Sequence, residues 1–310
     1  MDTVQAEEIK WLWKPYIPFG KLTIVQGDPS EGKTTFSLWL ASLLMQGKCF
    51  DEAGNLIQTS PVNVVYQTVE DGLADTVKPR LMAAGADCSR VKVIDDSEKS
   101  LYMDDERLEE ALRETKAKLL ILDPLQAYLG DRVDMNRANE AREMTKKLGA
   151  MAERTGCAVI LIGHMNKGSG AKAAYRGIGS IDFFAIARSV LLVARVPDDS
   201  TIRAVAQIKC NLAAEGSTMA FRLDENGFNW IGEYDTSADE LLSGFAGGDK
   251  HKAAEEFLKK ILSNGKKVPV SSIFAQAKAI GVSKRTVESV KRELGVKSIK
   301  DGATWLWKIE

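Results

Sequence analysis

Between residues 22 and 232 the chain alternates between two hydrophobic patterns. Short aliphatic and β-branched runs, LTIVQG (22–27), VNVVYQ (62–67), VKVID (91–95), LLILD (119–123), AVILIG (158–163) and SVLLVARV (189–196), are apolar at nearly every position. That is the pattern of strands covered on both faces. Between several of them lie segments with helical spacing, at 33–46, 73–85, 104–117 and 137–155. Strand alternating with helix predicts an α/β fold with a mostly parallel central sheet. IRAVAQIKC, TMAFRLDE and FNWIG, with turns at Glu215-Gly216 and Asn226-Gly227, predict antiparallel strands that extend it. Ahead of the first strand, WLWKPYIPFG is aromatic-rich, and Trp11, Trp13 and Phe19 are expected to pack on the core rather than to stack on bases.

The stretch 233–250 loses this periodicity and contains Gly247-Gly248, so it reads as a linker. An amphipathic helix follows at 251–264, with Ala254, Phe257, Leu258, Ile261 and Leu262 on one face. VSSIFAQAKAIGV gives a second helix ending at Gly281. SKRTVESVKRELGV starts on an N-cap serine, Ser283, and sets Lys284, Arg285, Lys291 and Arg292 around a Val287/Val290/Leu294 stripe. VKSIKDGATWLWKIE reads as a hairpin turning at Asp301-Gly302. Three helices and a hairpin resemble a winged helix-turn-helix, with 283–294 in the place of the recognition helix. The expected organisation is therefore 1–232 as one domain, with 1–21 as its N-terminal packing segment, then a linker at 233–250 and a winged-helix-like domain at 251–310.

Of the 310 residues 45% are hydrophobic and 27% charged, which suits a soluble globular protein with one large core and a small second domain. No apolar run reaches the roughly 18 residues that span a bilayer. The acidic, polar MDTVQAEEIK does not fit a secretory signal, so a cytoplasmic protein without a membrane partner is expected. Cys49, Cys88, Cys157 and Cys210 form no CxxC and read as reduced thiols. Two histidines, His164 and His251, leave little for a His-rich metal site or a His-based triad. The net charge of −1 conceals an asymmetry: from Lys250 to Glu310 there are 14 Lys/Arg against 6 Asp/Glu, so the tail carries +8 and the rest −9. A basic tail points to a polyanion such as nucleic acid, with docking of protein as the other reading.

The chemistry begins at GDPSEGKT: Gly27, Asp28, Pro29, Ser30, Glu31, Gly32, Lys33 and Thr34, followed by Thr35. This is G-x-x-x-x-G-K-[ST] between a predicted strand and a predicted helix, the context that makes it a P-loop. Its backbone N–H groups would face phosphate oxygens at a helix N-terminus, Lys33 would reach the β- and γ-phosphates, and Thr34 would bind Mg²⁺. A second metal-orienting group stands in LLILDP, where Asp123 ends a buried strand. ATP and Mg²⁺ are thus the expected ligands. Parallel strands end on one edge, so Gly27, Gln67 and Asp123 should share a rim. VVYQTVEDG ends there on Glu70 and Asp71. A carboxylate at that place could orient or deprotonate the attacking water. Glu70 is the better placed; Asp71 could support metal-bound water or cap a helix starting near Leu73. His164 ends another buried strand in GHMNKG, and the loop behind it carries Lys167, Lys172 and Arg176 among small residues. A cationic loop beside a phosphate sensor suits coupling of hydrolysis to a polyanion. The loop after Asp123, with Arg132 and Arg137, is a second candidate.

WLWKPYIPFGKLTIVQGDPSEGKTT, VVYQTVEDG, LLILDPLQAYLG, VILIGHMNKG and YRGIGS fall in the order of RecA-like ATPases of plasmids, phages and mobile elements. Over residues 8–232 the chain resembles the hexameric replicative helicases. The resemblance implies a homo-oligomeric ring of six, ATP between neighbours, single-stranded DNA in the channel, and Glu70 as the residue that activates water. It also implies a trans-acting cation on a late strand: Lys209 in QIKCNLA matches, and Arg188 matches a recurrent family arginine. Lys209-Cys210-Asn211 departs from the KNN common in the family. The reading is an ATP-dependent DNA motor in which Lys33, Glu70, His164 and Lys209 are catalytic, Thr34 and Asp123 hold Mg²⁺, and Lys167, Lys172, Arg176, Lys284 and Arg285 contact DNA. Replication proteins are possible partners of the tail. The rivals are a recombination, repair or loader ATPase that does not unwind, and a nucleotide-switched DNA-binding regulator.

Overall fold

The computed structural model describes residues 5–129, 138–165, 181–197, 199–242, 247–301 and 304–309. Contacts divide the chain into two compact units, 1–195 with 201–234, and 196–200 with 235–310.

In the first unit a ribbon of β1 (Trp11–Trp13) and β2 (Ile17–Pro18) precedes β3 (Leu22–Gly27) and α1 (Lys33–Met45). A small hairpin, β4 (Lys48–Phe50) and β5 (Leu56–Gln58), leads to β6 (Val64–Thr68). Then come a π-helical turn (Leu73–Val77), α2 (Lys78–Ala83), β7 (Val91–Lys92), α3 (Glu106–Thr115) and β8 (Leu119–Asp123). α4 (Ala138–Thr155), β9 (Ala158–His164), α5 (Ile181–Ile186) and β10 (Ser189–Val196) continue the alternation, and β11 (Asp199–Cys210), β12 (Met219–Asp224) and β13 (Gly227–Glu233) follow.

The main sheet runs β13-β12-β11-β10-β3-β9-β8-β6-β7. β10, β3, β9, β8, β6 and β7 pair in parallel, and β11–β12 and β12–β13 are antiparallel. Successive residues of one strand enter opposite apolar layers. Val64, Tyr66, Leu119 and Ile121 join the layer containing α1, whereas Val65, Leu120 and Leu122 join the one built with α3 and α4. Burial on both faces is why these runs show no polar alternation.

Register then fixes the edge that matters. Gly27 pairs with His164, and Thr68 with Asp123, so the ends of β3, β9, β6 and β8 lie on one rim. Trp13 is 1% exposed and sits among the rings of Tyr16, Phe36, Phe50 and Trp230, which makes the N-terminal aromatics part of the core.

Two expected elements of the first unit take another form. The strand expected over 91–95 stops at Lys92, because the Gln67 side chain takes over the pairing: it accepts from Ile94 N (2.6 Å) and donates to Ile94 O (3.1 Å). The helix expected over 73–85 breaks into the π-helical turn and α2. Pro79 has no N–H for an i→i−4 bond and is tolerated only in a first turn, so a helix restarts around it.

In the second unit α6 (Ala238–Leu242) lies within 233–250. Ser237 and Glu240 cap it reciprocally, Glu240 N donating to Ser237 Oγ at 3.2 Å and Ser237 N to Glu240 Oε2 at 3.0 Å. α7 (Gly247–Ile261), β14 (Val268–Pro269), α8 (Val270–Ala279), α9 (Lys284–Glu293), β15 (Lys297–Asp301) and β16 (Thr304–Lys308) follow, with sheet order β14-β16-β15. Ala254, Leu258, Ile273, Val287, Val290 and Trp307 are among the residues of its core. Ser283 caps α9, accepting from Thr286 N at 3.2 Å. Asp301 ends β15, and Gly302 lies outside the described residues.

Candidate nucleotide site

β3 delivers the loop Gly27–Thr34 to α1. Gly27 has no alternative: a Cβ there would lie 2.1 Å from the Val193 carbonyl oxygen. Ser30 and Gly32 hold positive φ of 65° and 87°, and Gly32 packs against the Phe221 ring. α1 starts at Gly32 with no side-chain cap and no acid in its first turn, so its N–H groups face outward as an anion site. Asp28, Pro29 and Ser30 are exposed on the rim, and Glu31, Thr34 and Thr35 are half-buried.

Lys33 is buried. Its ammonium donates to Gly27 O (3.0 Å) and Asp28 O (2.8 Å) and lies 3.4 Å from His164 Nδ1. Burial pulls its pKa down, opposed by the charges of Asp123, Glu31, Asp28 and Glu70. Asp123 is 6% exposed; Thr34 Oγ1 donates to its Oδ2 at 2.7 Å and the Tyr66 hydroxyl at 3.2 Å. Burial raises the Asp123 pKa, the two hydroxyls lower it, and the charges of Asp71 and Glu70 raise it again. Among the described residues its hydrogen-bond donors are thus neutral hydroxyls, which leaves a buried carboxylate beside a threonine oxygen. That donor set fits Mg²⁺, a hard ion that takes one or two protein oxygens and completes its shell with water and phosphate. No cluster of three or more acidic, His or Cys residues that would cage a metal occurs among the described residues.

Glu70 follows β6 on the same rim, exposed, with Oε2 3.7 Å from His164 Nε2. Glu70, His164 and Lys33 therefore stand in a row, the two imidazole nitrogens facing opposite ways. Asp71 is placed differently from the helix-capping expectation. Its carboxylate pairs with Arg80 at 2.7 Å, and the turn at Leu73 begins on Gly72 without a side-chain cap. A full guanidinium charge outcompetes the partial charge of one helical turn.

Two contributors carried no local signal. Tyr66 sits in an apolar strand yet donates to Asp123. Arg195, at the end of β10, grips the loop from outside. Its N–H donates to Glu31 Oε2 (2.5 Å), its Nε lies 3.3 Å from Glu31 Oε1, and its Nη2 donates to Ser30 O (3.2 Å). Residues 164 apart in sequence meet there, and only the shared edge of β3 and β10 hints at it.

Lys209 is engaged within its own fold: its amine donates to Phe184 O (2.5 Å) and Ala185 O (3.0 Å) and lies 5.1 Å above the Phe184 ring. Burial and nearby Arg188, itself exposed, lower its pKa. Lys167, Lys172 and Arg176, like Arg132 and Arg137, lie outside the described residues. Lys284 and Arg285 are on α9 in the second unit.

A P-loop on a parallel sheet, with a Thr–Asp pair beside it and an exposed carboxylate on the same rim, defines a P-loop nucleotide-binding domain. The chain belongs to the AAA domain family, which it matches over residues 2–170. It is 28% identical over 169 residues to the DNA repair protein RadA of Halalkalibacterium halodurans, a match covering 54% of this chain and 32% of that protein. It thus spans about a third of the length of that curated relative. In fold it is similar to the crystal structure of the KaiC-like protein PH0186 of Pyrococcus horikoshii, with a TM-score of 0.51 at 18% identity over 72% of this chain and all of that one. Among the described residues no helix is long and apolar enough to cross a membrane.

Proposed function

We propose that the protein is an ATP-dependent DNA motor of the ring-forming replicative helicase kind, coupling hydrolysis to movement along single-stranded DNA. The observation that carries the ATPase half is the meeting of Lys33, Thr34, Glu70, Asp123 and His164 on one sheet edge. Triphosphate oxygens would meet the open N–H groups of α1, and Lys33 would exchange two carbonyl acceptors for charged ones. Thr34 and Asp123 would hold Mg²⁺, which when bound neutralises charge on the phosphate oxygens. Glu70 takes the proton of the attacking water. His164, between Glu70 and Lys33, reads the phosphate by a hydrogen bond and passes its state to the 166–176 loop, where Lys167, Lys172 and Arg176 would meet DNA. Lys209 of a neighbouring copy would complete the site on leaving the carbonyls of Phe184 and Ala185.

The DNA half is supported by the +8 tail. In this reading 1–232 is the motor domain and 251–310 a winged-helix module that contacts DNA through Lys284 and Arg285 or docks replication proteins. The similarity to a protein named for DNA repair favours a second reading, a repair or recombination ATPase without unwinding. Forked-duplex unwinding, measured beside ATP hydrolysis with and without single-stranded DNA, separates them. Strand separation is the expected result; DNA-stimulated hydrolysis without it would establish the second reading.

A further inference from the structure

The second unit carries an arrangement that the nucleotide site does not use. Three lysines of its described surface sit on aromatic rings. Lys284 lies 4.9 Å from the Phe274 centroid, Lys291 4.6 Å from Trp307 and Lys300 6.0 Å from Trp305. The rings connect, since Phe274 meets Trp307 edge to face at 5.4 Å. Among the described residues none of these three lysines has a carboxylate partner, in contrast to the paired cations Arg80, Arg113, Lys147 and Arg154 of the first unit.

The hairpin explains why the stripe ends on an open ring. Cross-strand partners are Ser298 with Trp307 and Lys300 with Trp305, one face of β15 and β16. The inner pair is anchored: Trp307 is 4% exposed, and Lys291 donates to Ser298 Oγ at 2.7 Å. The outer pair runs past that anchor, and Trp305 is 53% exposed.

We propose that this face binds single-stranded nucleic acid, a base stacking on Trp305 while Lys284, Lys291 and Lys300 meet successive phosphates. An incoming base replaces Lys300 on the ring, and the ammonium it displaces moves to the adjoining phosphate. Unpaired bases present a π-face that a duplex keeps inside its stack, so the aromatic end of the stripe selects single strands. The surplus of eight positive charges in this part of the chain favours a polyanion over a protein surface. The inference rests on the nucleic-acid half of the proposed function and not on the ATPase site.

The test measures anisotropy of a labelled oligothymidylate, and of a fully paired duplex, on the full chain without ATP. Trp305→Ala should weaken oligothymidylate binding by about tenfold or more, Trp305→Phe should restore most of it, and duplex binding should change little. Replacing Lys284, Lys291 and Lys300 together by Ala should flatten the log–log salt dependence by about two. Equal affinity of wild type and Trp305→Ala would overturn the proposal. So would an equal loss on duplex, which would make the contact a groove contact, or failure of the wild type to bind either probe, which would leave a protein-docking face. Basal hydrolysis without nucleic acid, followed in Trp305→Ala and Trp305→Phe, stays at the wild-type level; a failure of the ATPase reading would appear there alone.

Discussion

Lys33, Thr34 and Asp123 were legible because their chemistry is written in short contiguous patterns, a glycine loop and an aliphatic run ending in a carboxylate. Glu70 was already preferred to Asp71 from its place on the shared rim and from the family resemblance; the pairing of Asp71 with Arg80 was not legible. Tyr66 and Arg195 could not be read at all, since their partners lie 57 and 164 residues away. The grip of Arg195 on Ser30 and Glu31 predicts that it pre-forms the phosphate loop. Arg195→Ala and Glu31→Gln should each raise the Kd for ATP about two- to fivefold, as expected for a partly exposed ion pair. The double variant should add little to either. Titration of a fluorescent ATP analogue checks this; fully additive losses, or none, would count against the clamp. Tyr66→Phe removes one of the two hydroxyls on Asp123 and should leave the fold intact while raising the Mg²⁺ concentration needed for tight nucleotide binding, measured by the same titration at varied Mg²⁺.

At the level of elements, the alternation of buried strands with amphipathic helices sufficed for the parallel sheet, because both faces are covered and the runs stay apolar throughout. What it could not show was side chains replacing backbone: Gln67 standing in for the end of β7, or the reciprocal Ser237–Glu240 cap that makes a helix inside a segment without periodicity. The N-terminal ribbon is a structural element of the core, and Trp13→Ala should destabilise the first unit by about 3–5 kcal/mol in urea unfolding. α3 and α4 are tied by Glu109, which accepts from Arg113 at 2.7 Å and from Arg154 at 2.5 Å. The two guanidiniums hold its pKa down, from the usual 4.5 to about 2. A folded-state pKa below the unfolded one gives stability that is present above pH 4.5 and lost as pH falls towards 2. Glu109→Gln should therefore lower the urea midpoint at pH 7 and narrow the gap to wild type at pH 3. An unchanged gap across that range would show that the pairing does not persist in solution.

For the whole molecule, the exposed Glu70 and the open N-terminus of α1 are where the proposed ring would bring a neighbouring copy to the site. Mass measurement with a non-hydrolysable ATP analogue and single-stranded DNA should show a closed oligomer, and a monomer under those conditions would remove the ring. The convergence of Lys33, Glu70 and Asp123 on one nucleotide is tested most directly by pairing hydrolysis with binding in Glu70→Gln. Hydrolysis should fall by about 10²–10⁴ while the Kd for ATP stays near that of the wild type, because the base is lost and the phosphate cradle is kept. Hydrolysis at the wild-type rate in that variant would contradict it.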